Sequence, residues 1–373
     1  MNAADVATLR VGSGASLRVP SAAARVARDG DVVEIECGVY DDVAVWTQND
    51  LTIRCIAGRG HFRTSGRLAE DKGIWLVKGR NTIIERAEFS GGRGPHRNGS
   101  GIRGEGIGLT LRDCAFHHNE DGVLAGGGPE SDIVVERCEF SGNGYGDGQS
   151  HNIYIASARS FTLRACYSHH ARVGHNVKSR AATNYILYNR IMDEQTGRAS
   201  YAIDLCNGGR SYVIGNLVQK GTLAENETLL AYGADGLEHS PHGLYVVNNT
   251  MVNDRGRGRW WLRALGGTTF VRVWGGPSRV RLVNNLFVGH GRVLRGAGEL
   301  SHNVHSDAPG LIDRAGFDYR LAPGSPADSA GTDPGDADGV PLTPVAEYVH
   351  RTSERPRRPA VPLDVGAHGR LGH

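Results

Sequence analysis

One column of residues, repeated along most of the chain, limits the possible folds more than any other feature. Laid under one another, the segments 83–92, 109–119, 133–143, 161–171, 185–194, 212–221, 244–253 and 280–289 align. They place Ala87, Cys114, Cys138, Cys166, Asn189, Asn216, Asn249 and Asn285 in register. Two residues later stand Phe89, Phe116, Phe140, Ser168, Ile191, Val218, Met251 and Phe287. The column recurs after 27, 24, 28, 23, 27, 33 and 36 residues. Each unit alternates apolar and polar residues and then breaks at Gly, Asn or Asp, the grammar of a strand and a turn. Fixed columns with variable spacing predict a solenoid whose loops differ in length. A coil of about 23 residues is too short for helical repeats or propeller blades. It fits one turn of a parallel β-helix, with strands stacked about 4.8 Å apart.

The 53 glycines among 373 residues, roughly twice the usual share, agree with many turns and few helices. The Cys/Asn column is expected to be a ladder of like side chains at a turn, each Asn bonding its neighbour and a backbone group. Cys114, Cys138 and Cys166 then fill that ladder as small buried residues, because the CxxC or His-spaced pattern of a metal centre is missing. Cys37 and Cys55 fall at matching places in VEIEC and LTIRC, so a disulfide between neighbouring rungs stays open.

The ends break the pattern. SAAARVARDGD (21–31) reads as a short capping helix over the open apolar end of the coil. Residues 1–36 are therefore taken as the cap and 37–305 as the β-helix. Eight of the fourteen prolines lie in 323–373, so 306–373 is expected to lie on the outside of the coils as irregular chain. A formal charge of +2, from 42 Lys and Arg against 40 Asp and Glu, excludes the basic footprint of a nucleic-acid partner. No apolar run is long enough for a membrane span. The start Met1-Asn-Ala-Ala-Asp lacks a signal peptide's basic and apolar regions. A solenoid closed at both ends is expected to be monomeric.

The opening, the column-bearing coils and DYRLAPGSPADSAG (318–331) resemble the bacterial right-handed parallel β-helix proteins of the pectate-lyase-like superfamily. That resemblance implies an all-β solenoid acting outside the cytoplasm, secreted or periplasmic, although the missing signal leaves a cytoplasmic place open. Lyases, hydrolases, epimerases and tailspikes share the fold, so function must come from a site.

Strands between successive columns also align: HNIYIAS (151–157), HNVKSRA (175–181), YAIDLCN (201–207) and TLLAYGA (228–234). With Ile153, Val177 and Ile203 inward, alternation puts Asn152, Tyr154, Asn176, Lys178, Arg180, Asp204 and Cys206 outward. Tyr154, Lys178 and Asp204 then form one outer column with Arg180 beside it. An acidic polysaccharide containing uronic acid is cut by β-elimination when three groups converge: a cation for the carboxylate, a base for the C5 proton and an acid for the leaving oxygen. Lysine is a base only in its neutral form, which Arg180 favours and Asp204 opposes. Arg180 is suited to clamp the carboxylate, and Tyr154, His151 or His175 to supply the acid. Asn152, Asn176, Asp204, Arg198, Arg210 and Tyr232 are expected to bind substrate on the same face, and Trp260, Trp261 or Trp274 to wall the cleft.

VKSRAATNYILYN (177–189) followed by DLCNGGRSYVIGN (204–216) is similar in order and spacing to the alginate and chondroitin lyases of polysaccharide lyase family 6. The resemblance implies that Lys178 is the base. Cys206 stands where that family's LRHG motif has its Arg, and His151 or Ser150 where its NGxExIRIG motif has the calcium-binding Glu. No cofactor is required by this reading; Asp193, Glu194 and Asp147 offer calcium only a thin oxygen pattern, and no metal site is expected. His117–His118 and His169–His170 read as surface turn residues, with a metal between rungs as the sharper alternative.

Other functions remain open. A C5-epimerase shares the proton abstraction, with His242 of SPHG in a nearby turn. A carbohydrate-binding solenoid needs no Lys–Arg pair. A glycoside hydrolase needs two carboxylates, and Asp204 has no evident exposed partner in the aligned strands. A plain cross-rung ion pair between Lys178 and Asp204 is the non-functional alternative.

Overall fold

The computed structural model describes residues 6–255, 267–276 and 279–370. Three long parallel sheets run through it, with twelve, ten and eleven strands among the described residues. In each sheet every strand but the first and last pairs with its equivalents one coil before and one coil after. The first sheet runs from Thr8–Val11 to Glu299–Ser301, the second from Ala44–Trp46 to Arg292–Arg295, and the third from Val39–Asp41 to Val304–Ser306. One turn of chain thus visits all three sheets and climbs one rung, which makes the expected parallel β-helix.

The repeated column sits at the corner between the first and third sheets. Asn189 Nδ2 donates to Asn216 Oδ1 at 2.9 Å, Asn216 to Asn249 at 2.9 Å, and Asn249 to Asn285 at 3.0 Å. The ladder ends one rung further on, at Asn303. Backbone amides of Cys114 and Cys138 point at the sulfurs of Cys138 and Cys166, so the thiols continue the same ladder. The residue before each column member is left-handed, as at Asp113 (φ 56°), Tyr188 (φ 55°) and Asn284 (φ 55°). A repeated left-handed residue turns the chain sharply, and the buried amide ladder satisfies the carbonyls that the corner exposes. Inside, Phe89, Phe116 and Phe140 stack at 5.3 and 4.8 Å between ring centres. All six cysteines are free thiols, Cys37 exposed and Cys55 buried, so no bridge joins those two rungs.

The single helix among the described residues, Pro20–Val26, is shorter than its sequence suggested. Asp31 ends the segment by accepting the amides of Ala7 and Arg28, while Ala23 and Ala24 cover the open end of the core. The tail is more regular than its prolines implied. Three short antiparallel hairpins form, joining 311–313 to 318–321, 336–337 to 340–341, and 346–349 to 353–356. Tyr319, Tyr348 and Val365 pack on Tyr167, Met192 and Leu286, so the tail shares apolar contact with the outer faces of the coils. No helix among the described residues is long and apolar enough to cross a membrane.

Candidate active site

The second sheet carries the site. Strands Ile153–Ile155, Val177–Ser179 and Ile203–Leu205 lie on consecutive rungs, with Tyr154 opposite Lys178 and Lys178 opposite Asp204. Ile153, Val177 and Ile203 are fully buried, so the outward column is the one alternation predicts. Lys178 Nζ lies 3.9 Å from Asp204 Oδ2 and 5.4 Å from the centre of the Tyr154 ring. Arg180 donates to the Tyr154 hydroxyl at 3.0 Å, to Asn207 Oδ1 at 2.7 Å and to Asp235 Oδ2 at 2.6 Å. Its own carbonyl lies 2.9 Å from His239 Nε2.

Asp235 is the residue that sequence reasoning missed. It sits on the turn after strand Thr228–Tyr232, and its half-exposed carboxylate lies 4.0 Å from Lys178 Nζ while bonding Arg180. A glycine-flanked acid in YGADG just past the aligned strand was the available signal. Asp235 lies just outside the aligned strands, and it gives Asp204 a carboxylate neighbour across Lys178 that the argument against a hydrolase did not count.

Burial pushes the Asp204 carboxyl up to about 7, with Lys178 opposing the shift. One carboxyl oxygen, Oδ1, is buried without a hydrogen-bond partner. A protonated acid there relieves the cost of burying an unpaired charge.

His151 and His175 stack ring on ring at 4.7 Å, and Tyr201 extends the stack by another 5.0 Å. The amides of His175 and Tyr201 donate to Nδ1 of His151 and His175 respectively. Each ring proton is thereby assigned to Nε2, and His175 Nε2 lies 3.4 Å from Asp204 Oδ2. Burial lowers His151 to about 3, helped by Lys178, and drives His175 well below its ordinary value. Both rings are neutral at pH 7 and form the floor of the site.

Five expected substrate contacts lie elsewhere. Asn152 and Asn176 are fully buried; they precede the regular strands, so the alternation does not reach them. With Asn119 and Asn143 they build a second amide ladder, Asn152 Nδ2 donating to Asn176 Oδ1 at 3.1 Å. Tyr232 pairs with the inward Leu205, is fully buried, and donates to the Gly209 carbonyl at 2.6 Å. Arg210 belongs to the first sheet, where Asp338 of the tail lies 3.7 Å away. Arg198 is exposed and paired with Glu225.

The acids considered for calcium do not converge. Asp193 is buried against backbone amides and Lys220, Glu194 faces Arg190, and Asp147 faces Arg97. Trp274 lies under the Arg272 guanidinium, while Trp260 and Trp261 lie outside the described residues. His117, by contrast, is not a lone turn residue: Glu88 and His61 share its patch of the third sheet.

Residues 43–287 match the family model described as right handed beta helix region. In structure the chain is similar to pectate lyase Pel9A, with 14% identity, a TM-score of 0.53 and 98% of both chains covered. It is also similar to Geobacillus virus E2 ORF18, at 11% identity and a TM-score of 0.43, over 74% of this chain and 54% of that one. For the Dettilon tailspike protein the identity is 15% and the TM-score 0.36, over 76% of this chain and 63% of that one. Identities this low show the fold alone. No curated protein matches the sequence.

Proposed function

We propose an activity for this chain, which belongs to the right-handed β-helix family: it is a polysaccharide lyase that cleaves a uronic-acid polymer by β-elimination. One observation carries the reading. Arg180 holds the carboxylate of Asp235 at an open strand face, with the Lys178 amine 4.0 Å from the same oxygen, so a substrate carboxylate taken by Arg180 would lie beside that amine. A uronate replacing Asp235 has its acid group neutralised by Arg180, which makes the C5 proton more acidic. Lys178, in its neutral form, removes that proton. The electron pair forms the C4–C5 double bond as the C4–O4 bond breaks, and Tyr154 protonates the leaving oxygen. The Tyr154 hydroxyl accepts from Arg180, which leaves its own proton free to be donated. His151 and His175, neutral and buried, stack beneath the site, where His175 lies 3.4 Å from Asp204, and supply no acid. An acidic polymer as substrate accords with a secreted or periplasmic place of action.

A second reading has its own observation. Asp204 and Asp235 both lie within 4.0 Å of the same amine, so their nearer oxygens are at most about 8 Å apart, below the upper limit of the carboxyl spacing that glycoside hydrolases use. Asp204, raised to about 7, would then be the acid and Asp235 the base.

Product chemistry separates them. The protein is incubated with a panel of polyuronates and neutral glycans, with and without chelator, while ultraviolet absorbance and reducing ends are followed. The lyase gives new reducing ends with matching unsaturation; the hydrolase gives ends without it. Inverted uronate signals by NMR with no cleavage identify an epimerase, and no change with retained binding identifies a non-catalytic solenoid.

A further inference from the structure

We infer that His61, Glu88 and His117 form a binding site for a divalent transition ion of the zinc type on the third sheet. The three residues lie on strands Gly60–Arg63, Ala87–Ser90 and Ala115–His117, three consecutive rungs. His61 pairs directly with Glu88, and His117 sits diagonally across from it, opposite Ser90. Their inward neighbours Phe62, Phe89 and Phe116 are fully buried, so each ligand faces out from a strand that the core holds fixed.

His117 Nε2 lies 2.8 Å from Glu88 Oε1, and His61 Nε2 lies 3.8 Å from the same oxygen. All three ligand atoms lie within 4.8 Å of one another, the one such group of three His, Cys, Asp or Glu side chains among the described residues. Zinc bonds of about 2.0–2.1 Å in a tetrahedron set ligand atoms roughly 3.3 Å apart. The present separations bracket that value, so small rotamer shifts suffice.

Two imidazoles and one carboxylate suit zinc, cobalt or nickel and disfavour calcium or magnesium, which take oxygen ligands. The side chains of His61, Glu88 and His117 are 25%, 29% and 28% exposed, which leaves the fourth position open to water. Ser90 Oγ bonds His61 Nε2 at 2.7 Å and must release it when metal binds. His118 packs edge-on against His117, and Arg59 and Arg63 lie near enough to be felt by Glu88 and His61 respectively. These cations weaken the site without occupying it. Bound metal would clip three rungs together at a place remote in chain position from Lys178.

The test titrates chelator-treated protein with zinc chloride and cobalt chloride by calorimetry at pH 7.5, with magnesium and calcium as controls. One equivalent of zinc is expected to bind at micromolar or tighter affinity, and cobalt to give the intense visible bands of a four-coordinate site. Thermal unfolding is expected to shift upward with zinc. The variants Glu88→Gln and His117→Ala, checked for fold by circular dichroism, should each weaken zinc binding at least tenfold, whereas His169→Ala should not. Should either variant fail to fold, His61→Ala replaces it. Binding weaker than millimolar, or an affinity unchanged in the His61, Glu88 and His117 variants, would overturn the assignment.

Discussion

Lys178 Nζ stands 3.9 Å from Asp204 Oδ2, one rung apart in strict register on the outward face of the second sheet. The pair joins a largely buried lysine, its side chain 15% exposed, to a carboxyl whose side chain is only 3% exposed. It is therefore not the exposed cross-rung bridge whose worth is usually under about 1 kcal/mol. Desolvation, and not pairing, dominates the acid.

That balance has a measurable sign. The folded carboxyl of Asp204 titrates at about 7 against an ordinary value of 3.8, so the native state binds the proton more tightly than the unfolded chain. Its contribution is complete below about pH 4 and is lost as pH rises towards 7, at up to about 1.4 kcal/mol per pH unit. Urea unfolding of wild type and Asp204→Asn at pH 5 and pH 8 isolates the effect from other buried acids. The variant is expected to lose less stability between the two pH values; equal losses would show that Asp204 titrates normally.

Asp235 separates the two chemistries. If it only occupies the place of a substrate carboxylate, Asp235→Asn frees Arg180. KM for an acidic polymer should then fall severalfold while kcat changes little. If it is a hydrolytic base, kcat falls by a hundredfold or more. Steady-state kinetics on the polymer that the wild type cleaves gives the answer.

The solenoid was legible because its corner repeats. The Cys/Asn column, the inward Ile153, Val177 and Ile203, and the Tyr154–Lys178–Asp204 column follow from period and alternation alone. Asn152 and Asn176 were misplaced because alternation was carried one residue past the start of a strand, into a turn where the amides ladder inward. Tyr232 was misplaced because its strand was aligned without fixing register to Leu205. Asp235 and the His61–Glu88–His117 group were hidden for another reason: diagonal and loop contacts depend on side-chain reach, which no period encodes.

The amide ladder makes its own prediction. Asn216 donates to Asn249 and Ile186 and accepts from Asn189. Asn216→Leu removes those bonds and leaves buried groups on both neighbouring rungs unsatisfied, at about 1–3 kcal/mol for each group. Denaturant unfolding should show a loss of at least ~2 kcal/mol; a loss within error would mean that apolar stacking alone holds the corner.

Tyr232 should matter to the fold and not to the chemistry. Tyr232→Phe deletes the buried bond to the Gly209 carbonyl and is expected to cost about 1 kcal/mol, read by denaturant unfolding. kcat/KM on the cleaved polymer should stay within twofold of wild type, and a tenfold drop would return Tyr232 to the substrate face.

The central claim rests on one amine. The most direct measurement is the rate at which wild type and Lys178→Ala generate unsaturated uronate from the same polyuronate, with folding checked by circular dichroism. Wild type is expected to produce it, and the variant to fall at least a hundredfold while keeping the β-sheet signal and polymer binding. Unsaturated product formed by the variant at near wild-type rate would contradict the assignment of Lys178 as the base.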